Sequence, residues 1–84
     1  MYEVQLERAA ERDLDRIPDD QLNALLNRIR GLAETPRPPG AVKIVGSQND
    51  WRIRVGRYRV IYEVDDGAKA VRVYRVKHRS HAYE

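Results

Sequence analysis

Arginines at alternate positions in the middle of the chain are the residues best suited to chemistry. Arg52 and Arg54 lie in one short alternating stretch, and Arg59 lies in the next, just after Gly56-Arg57. If these two residues form a hairpin turn, Arg54 falls directly opposite Arg59, and all three arginines share one face of a sheet. A guanidinium group binds phosphate oxygens through a planar fork of donors. The spacing therefore predicts phosphate binding or phosphate chemistry.

An ordinary solvated face is the alternative interpretation of the same arginines. Like charges placed directly opposite each other destabilise a sheet by roughly 0.2–1 kcal/mol per pair. A face that serves solubility alone would intersperse acids, yet Glu63 is the one acid of that parity between Trp51 and Val64. We therefore favour a functional role for this face.

The last predicted strand extends the same face under a second assumption about a turn. If Asp66-Gly67 is also a two-residue turn, Arg72 and Tyr74 lie beside Ile61 and Arg59. Val76 and His78 then continue that parity toward the end of the strand.

The groups that could transfer a proton follow this strand. They are His78, His81 and Tyr83, whereas arginine stays protonated at neutral pH. Either histidine could equally be an exposed polar residue. The two histidines are spaced i, i+3, but the chain has no cysteine and no clustered carboxylate to complete a metal site. We expect neither a metal nor another cofactor.

Two helices should cover the other face of the sheet. After a short strand over Tyr2–Leu6, apolar residues adopt helical spacing from Glu7 until Pro18 ends the first helix. A second apolar stripe then continues to Ala33; its members are Leu22, Leu25, Leu26, Ile29, Leu32 and Ala33. The short link predicts an antiparallel helical hairpin.

The remaining chain changes to a period of two residues. Beyond the stiff connection Thr35–Gly40, alternation predicts four strands; these are Val42–Val45, Trp51–Val55, Tyr58–Val64 and Lys69–Lys77. The fold class is therefore α+β, with an N-terminal strand and a helical hairpin packed on a small, mainly antiparallel sheet. Eighty-four residues form a single domain, residues 1–84.

Charge is distributed unevenly between the two halves. Residues 1–40 contain six arginines and eight acids, whereas residues 41–84 contain ten basic residues and five acids. This basic C-terminal half favours a polyanion or an acidic protein as partner. The acidic N-terminus does not resemble a signal peptide and no apolar run could span a membrane, so we expect a cytoplasmic protein.

Three segments together resemble the RelE/ParE superfamily of toxins from type II toxin–antitoxin systems. They are Lys43-Ile-Val-Gly46, Trp51-Arg-Ile-Arg-Val-Gly-Arg-Tyr-Arg-Val-Ile-Tyr62 and Val76-Lys-His-Arg-Ser-His-Ala-Tyr83. The resemblance covers essentially the whole chain and is closer to the RelE branch. It implies a metal-independent endoribonuclease that cleaves mRNA in the ribosomal A site and is silenced by a cognate antitoxin, with which it could form a hetero-oligomer.

The resemblance also implies roles for individual residues. It gives catalytic roles to Arg52, Arg54, Arg59, Arg79 and Tyr83, to which we add His78 from its position, and we expect Lys43, Arg72, Tyr74 and Lys77 to bind RNA. Arg59 and Arg79 would stabilise the phosphorane, while Tyr83 would stack on a base or hold the nucleophile in line. Some relatives have lysines in place of Arg52 and Arg54, so the general base here is left open between His78, Tyr83 and a ribosomal group.

Two other functions agree with the same fold. A ParE-like toxin would bind and poison DNA gyrase without cleaving RNA, and a non-toxic member would only bind its antitoxin or operator DNA. The arginines favour the nuclease, because a gyrase inhibitor needs no phosphodiester site.

Overall fold

A computed structural model describes residues 1–81 of the chain as two helices and a five-stranded sheet. The elements in chain order are β1 (Glu3–Leu6), α1 (Arg8–Asp15), α2 (Asp19–Gly31), β2 (Val42–Lys43), β3 (Asp50–Val55), β4 (Tyr58–Asp65) and β5 (Ala70–His78), followed by a 3₁₀ turn (Arg79–His81). The strands lie in the order β1-β5-β4-β3-β2, with β1 parallel to β5 and the other pairs antiparallel. The predicted α+β class is confirmed.

The core lies between the helices and one face of the sheet. The helices contribute Ala10, Leu14, Leu25 and Ile29, all buried, and the strands contribute alternate valines, Ile53 and Tyr62. Because a strand buries every second residue, the intervening residues of β3 and β4 lie on the opposite face, away from α1 and α2. This second face carries Arg52, Arg54 and Arg59.

The connection from α2 to β2 is held by polar contacts to the sheet. The hydroxyl of Tyr62 donates to the carbonyl of Pro36 at 2.8 Å, and burial raises the pKa of Tyr62 to about 12. The guanidinium carbon of Arg37 lies 5.4 Å from the centre of the Trp51 ring, and its Nη2 lies 2.8 Å from Oδ2 of Asp66. Trp51 packs against the core, as its alternation with Ile53 predicts.

The β3–β4 hairpin has the predicted two-residue turn. Val55 pairs with Tyr58 across Gly56-Arg57, and Gly56 has a φ of 60°, which favours glycine. The same register places Arg54 directly opposite Arg59 and Arg52 opposite Ile61. This part of the sequence prediction is confirmed.

The β4–β5 hairpin differs from the prediction in two ways. Asp65 pairs with Ala70, so the turn has four residues rather than two. The Asp65 carboxylate accepts the backbone N–H of Ala68 within this turn, at 3.0 Å. A bulge follows, because Tyr62 pairs with Val73 while Ile61 pairs with Arg75, which leaves Tyr74 as the extra residue. The predicted parity of the last strand is therefore wrong beyond Tyr74.

Asp13 holds the edge of β5 where the bulge emerges beyond the end of β1. Its Oδ2 accepts the backbone N–H of Val76 at 2.9 Å and pairs with Nε of Arg75 at 2.8 Å. Burial disfavours the ionised carboxylate, but these two contacts outweigh burial and hold the pKa of Asp13 below its ordinary value. A helix side chain thus satisfies a backbone donor that the neighbouring strand is too short to reach.

Candidate functional site

Three cations lie side by side across the helix-free face, and we call them the cation row. Arg54 of β3 is the partner of Arg59 in β4, and Arg59 is the partner of Lys77 in β5. Directly opposed residues have Cβ atoms about 4.5–5.5 Å apart, so the three cationic side chains leave the sheet at neighbouring positions. The bulge creates this arrangement, because it brings Lys77 rather than Val76 to the face that carries Arg59.

Among residues 1–81, Arg54 and Lys77 of this row lack a nearby carboxylate. Within this range, no carboxylate oxygen lies within 4.0 Å of the side-chain nitrogens of Arg52, Arg54 or Lys77. Ion pairs within the described part of the chain therefore do not offset the positive charge of these three residues. An anionic ligand placed over the row would offset this charge.

The other end of the same face is charge-compensated. Arg72 lies opposite Glu63, and its Nη1 is 2.6 Å from Oε1 of Glu63 and 3.7 Å from Oδ2 of Asp65. The hydrogen bond that Arg72 donates to Glu63 raises the pKa of Arg72. Arg72 was predicted to lie beside Ile61 and bind RNA, but the longer turn moves it to an acidic neighbourhood.

The Tyr74 hydroxyl interacts with Glu63 at this charge-compensated end of the face. Desolvation first, and then the negative charge of Glu63, raise the pKa of the Tyr74 hydroxyl. A phenol with a raised pKa keeps its proton at neutral pH, so Tyr74 is poorly suited to act as a general base.

Arg59 is much less exposed than a residue on a solvated face should be. Only 7% of its surface is accessible, and it lines a cavity of about 360 Å³. Segment 42–45 forms much of the cavity wall, together with Arg52 and Ile61. Arg59 is therefore buried rather than solvated, and residues of segment 42–45 line the cavity beside it.

Lys43 lies on the other parity from the arginines. It pairs with Trp51, whose ring packs toward the core, whereas Val42 pairs with Arg52. Lys43 is exposed and contributes to the wall of the same cavity. Register alone therefore does not bring it into the cation row.

The end of β5 brings Arg79 close to the β3–β4 turn. The backbone N–H of Arg79 donates to the carbonyl of Arg57 at 2.7 Å, and both side chains are exposed. Both residues therefore lie at the end of the sheet that carries the cation row. Sequence analysis did not select Arg57, although its position in the turn beside Arg54 and Arg59 would have been sufficient to suggest it.

His78 lies on the face that packs against the helices. It is the partner of Tyr58, and the two rings meet edge to face with centres 5.4 Å apart. Its Nδ1 lies 2.9 Å from Oγ of Ser80 and accepts the Ser80 backbone N–H at 3.3 Å. The prediction that His78 shares the face of the arginines is wrong, because the bulge reverses the parity. Tyr83 lies outside the described residues.

Residues 1–81 contain neither a group of metal ligands nor a membrane-spanning helix. Among these residues, histidine and carboxylate side chains form no group of three or more that could hold a metal ion. None of the helices in this range is both long and apolar enough to cross a membrane.

Comparison with known proteins gives consistent matches. Residues 4–83 match the model of a family described as the ParE toxin of type II toxin–antitoxin systems, parDE. The chain is 31% identical over 83 residues to Toxin RelE of Mycobacterium tuberculosis, an alignment that covers 98% of this chain and 86% of that protein.

Solved structures agree with the fold described above. The toxin–antitoxin complex RelBE2 of M. tuberculosis contains a chain that is 30% identical, with a TM-score of 0.82 and coverage of 93% of this chain and 98% of that one. The archaeal RelE–RelB complex of Pyrococcus horikoshii gives 26% identity and a TM-score of 0.81, with coverage of 96% and 98%.

Proposed function

The chain belongs to the ParE toxin family of type II toxin–antitoxin systems, and we propose that within this family it is an mRNA endonuclease that acts on the ribosome. The observation that carries the proposal is the cation row, three cationic residues in direct register on a helix-free face. Arg52 and Arg79 lie near it. Within residues 1–81, no carboxylate oxygen lies within 4.0 Å of the side-chain nitrogens of Arg54 or Lys77, and two such cations beside Arg59 are well suited to a phosphodiester backbone.

The proposed reaction needs no metal. The 2′-hydroxyl of one ribose attacks the adjacent phosphorus, forming an O2′–P bond while the bond from phosphorus to the 5′ oxygen breaks. The 2′-hydroxyl loses its proton to a base and the departing 5′ oxygen gains one, so the products are a 2′,3′-cyclic phosphate and a 5′-hydroxyl. Negative charge accumulates on the phosphorane and on the leaving oxygen during this step.

The chain's arginines are suited to stabilising that charge. Arg59 and Arg79 would donate to the equatorial oxygens, and Arg54 and Arg52 would orient the backbone or stabilise the leaving oxygen. Lys77 adds a third cation opposite Arg59. Loss of one such preorganised donor typically costs a factor of about 10²–10³ in rate.

The proton acceptor is best sought outside the cation row. Arginine remains protonated, the pKa of Tyr74 is raised and His78 lies on the other face. These placements favour Tyr83, which lies beyond the described residues, or a ribosomal group. A base supplied by the ribosome would explain why cleavage depends on translation.

An antitoxin is the proposed protein partner. Related RelE chains occur in complexes with RelB in two of the solved structures described above. For this chain we propose an antitoxin whose acidic segment covers the cation row, since charge complementarity suppresses access of RNA to the same face. The two proteins would form a hetero-oligomer in the cytoplasm, where the ribosomal target is found.

Inducible expression in a bacterium tests the proposal, with primer extension on an abundant translated message. Wild-type protein should arrest growth and cut within codons of translated RNA, and Arg54→Ala should abolish both effects. Arg12→Ala is the matched control, because Arg12 is an exposed arginine on α1, away from the cation row. Intact message in arrested cells would contradict the proposal.

A ParE-like gyrase inhibitor is the second candidate, and the name of the matching family model favours it. It predicts filamentation and DNA damage with intact message. A member that only binds antitoxin or operator DNA predicts no growth arrest at all.

A further inference from the structure

The cavity beside the cation row has features that phosphate binding alone does not explain. Phosphate needs donors and charge, yet four of the seven residues that line the cavity are aliphatic: Val42, Ile44, Val45 and Ile61. Val45 is 99% exposed and Val42 is 47% exposed. Among residues 1–81, Met1 is the only other large hydrophobic residue that is exposed. An exposed aliphatic wall on a basic face indicates a ligand with an apolar part.

A second cavity adjoins the first. It has a volume of about 260 Å³ and is lined by Gly40, Val42, Arg52 and Arg54. Val42 and Arg52 line both cavities, so the two cavities are neighbours at these residues. The second cavity includes Arg54 of the cation row, whereas the lining of the first cavity is mostly aliphatic.

We propose that the aliphatic cavity binds one nucleobase of the RNA whose backbone phosphates lie over the cation row. This inference rests on the proposed function and names a subsite within it. The cavity of about 360 Å³ lies within the usual range of ligand pockets, about 300–1,000 Å³. A flat base suits a cavity whose lining combines an aliphatic wall with the guanidinium group of Arg52, because arginine planes commonly stack on splayed bases.

Charge favours a nucleotide over the side chain of a protein partner. All the ionisable residues that line the two cavities are cationic, namely Lys43, Arg52, Arg54 and Arg59. A nucleotide combines one apolar planar group with one anionic group at a fixed separation. The aliphatic wall of the first cavity suits the base, and the arginines of the neighbouring second cavity suit the phosphate.

Fluorescence anisotropy with a labelled single-stranded RNA hexamer tests this proposal on the full-length protein at low salt. The probes are the intact hexamer and a series in which one base at a time is replaced by an abasic ribose. One abasic position should weaken binding about tenfold, as expected for loss of one stacked base. The other positions should have smaller effects.

Variants assign this penalty to the cavity. Val42→Asn with Val45→Asn removes the exposed aliphatic wall, so the intact hexamer should bind as weakly as the abasic one. Val45→Asn alone should reduce the loss of affinity caused by the abasic position. The fold should remain intact, because the Val45 side chain is almost completely exposed. Arg54→Ala is the contrasting control, because loss of a phosphate contact should weaken intact and abasic hexamers equally.

Four results would overturn the inference. Equal affinities for intact and abasic hexamers would exclude a base subsite while leaving RNA binding in place. If the double variant keeps the abasic penalty, the cavity is not the site that binds the base. If the double variant loses binding to the antitoxin but keeps the abasic penalty, the aliphatic wall is an antitoxin contact. Failure of every hexamer to bind would overturn the subsite, whereas the proposed function is tested separately by primer extension on translated message.

Discussion

The two ends of the helix-free face use the same residue type for different purposes. At one end, Arg72 lies opposite Glu63 with a contact of 2.6 Å, and Asp65 lies 3.7 Å away. At the other end, Arg54, Arg59 and Lys77 are lateral neighbours in three strands. An arginine paired with acids contributes to the surface of the sheet, whereas adjacent cations oppose folding and are suited to an anionic ligand. The acidic neighbours of Arg72, rather than its residue type, separate its role from those of Arg54 and Lys77.

The largest expected effect comes from removing the central charge of the cation row while retaining its bulk. Arg59→Met should reduce RNA cleavage about 10²–10³-fold, because a preorganised donor to the phosphorane is lost. The fold should survive, since the methionine side chain still fills much of the space around a residue that is 7% exposed. Primer extension measures the loss, and circular dichroism measures the fold.

Comparison with Arg59→Ala separates the loss of charge from the loss of side-chain packing. Truncation of a buried side chain also removes packing, so this variant should melt at a lower temperature than Arg59→Met. Undiminished cleavage by Arg59→Met would exclude Arg59 from catalysis and make the cation row structural.

The next effect concerns the bulge that brings Lys77 into the row. Asp13→Asn weakens the contacts to Arg75 and Val76 and should destabilise the protein by roughly 1–3 kcal/mol. Urea unfolding measures this change. Asp15→Asn is the control, because Asp15 is exposed on the same helix. Equal stability of the two variants would show that Asp13 does not hold the β5 edge.

The same contact predicts a dependence of stability on acid. The pKa of Asp13 is lower in the folded protein than its ordinary value of 3.8, so its contribution is complete above about pH 4–5. It is lost as pH falls through the depressed folded pKa. Unfolding curves between pH 2 and 7 should therefore converge for wild type and Asp13→Asn at the acid end, and parallel curves would contradict the assignment.

A smaller effect is expected at the compensated end of the face. Arg72→Ala should change stability by no more than about 1 kcal/mol, because its ion pairs are partly exposed. Cleavage should be almost unchanged, since Glu63 and Asp65 already neutralise this arginine. A loss of cleavage comparable to that of Arg54→Ala would remove the distinction between the two ends.

The finest test of the comparison is the salt dependence of RNA binding. Each phosphate contact to single-stranded RNA contributes about 0.7 to the slope of log affinity against log salt. Arg54→Ala should therefore lower the magnitude of the slope by about 0.7, and Arg72→Ala should leave it unchanged. Anisotropy titrations at several salt concentrations give both slopes. Equal slopes for Arg54→Ala and Arg72→Ala would show that the two ends of the face do not differ in phosphate binding.

Much of this architecture could be predicted because its causes are local. Helical spacing of leucines and alternation of β-branched residues define which side of each element is apolar. Gly56 adopts the positive φ that a two-residue hairpin needs, so the register of β3 and β4, and with it the pairing of Arg54 and Arg59, follows from the sequence. The family resemblance drew on these same segments.

The partners of β5 could be decided only by the tertiary structure. A strand repeats every two residues, so one extra residue at Tyr74 exchanges Lys77 for His78 on the face that carries Arg59. The alternation Val71, Val73, Val76 contains this shift, but the sequence does not say where the partner strand accommodates it. The burial of Arg59 likewise depends on segment 42–45 folding over a distant strand. Local periodicity determined the faces, and long-range packing decided which charges meet on them.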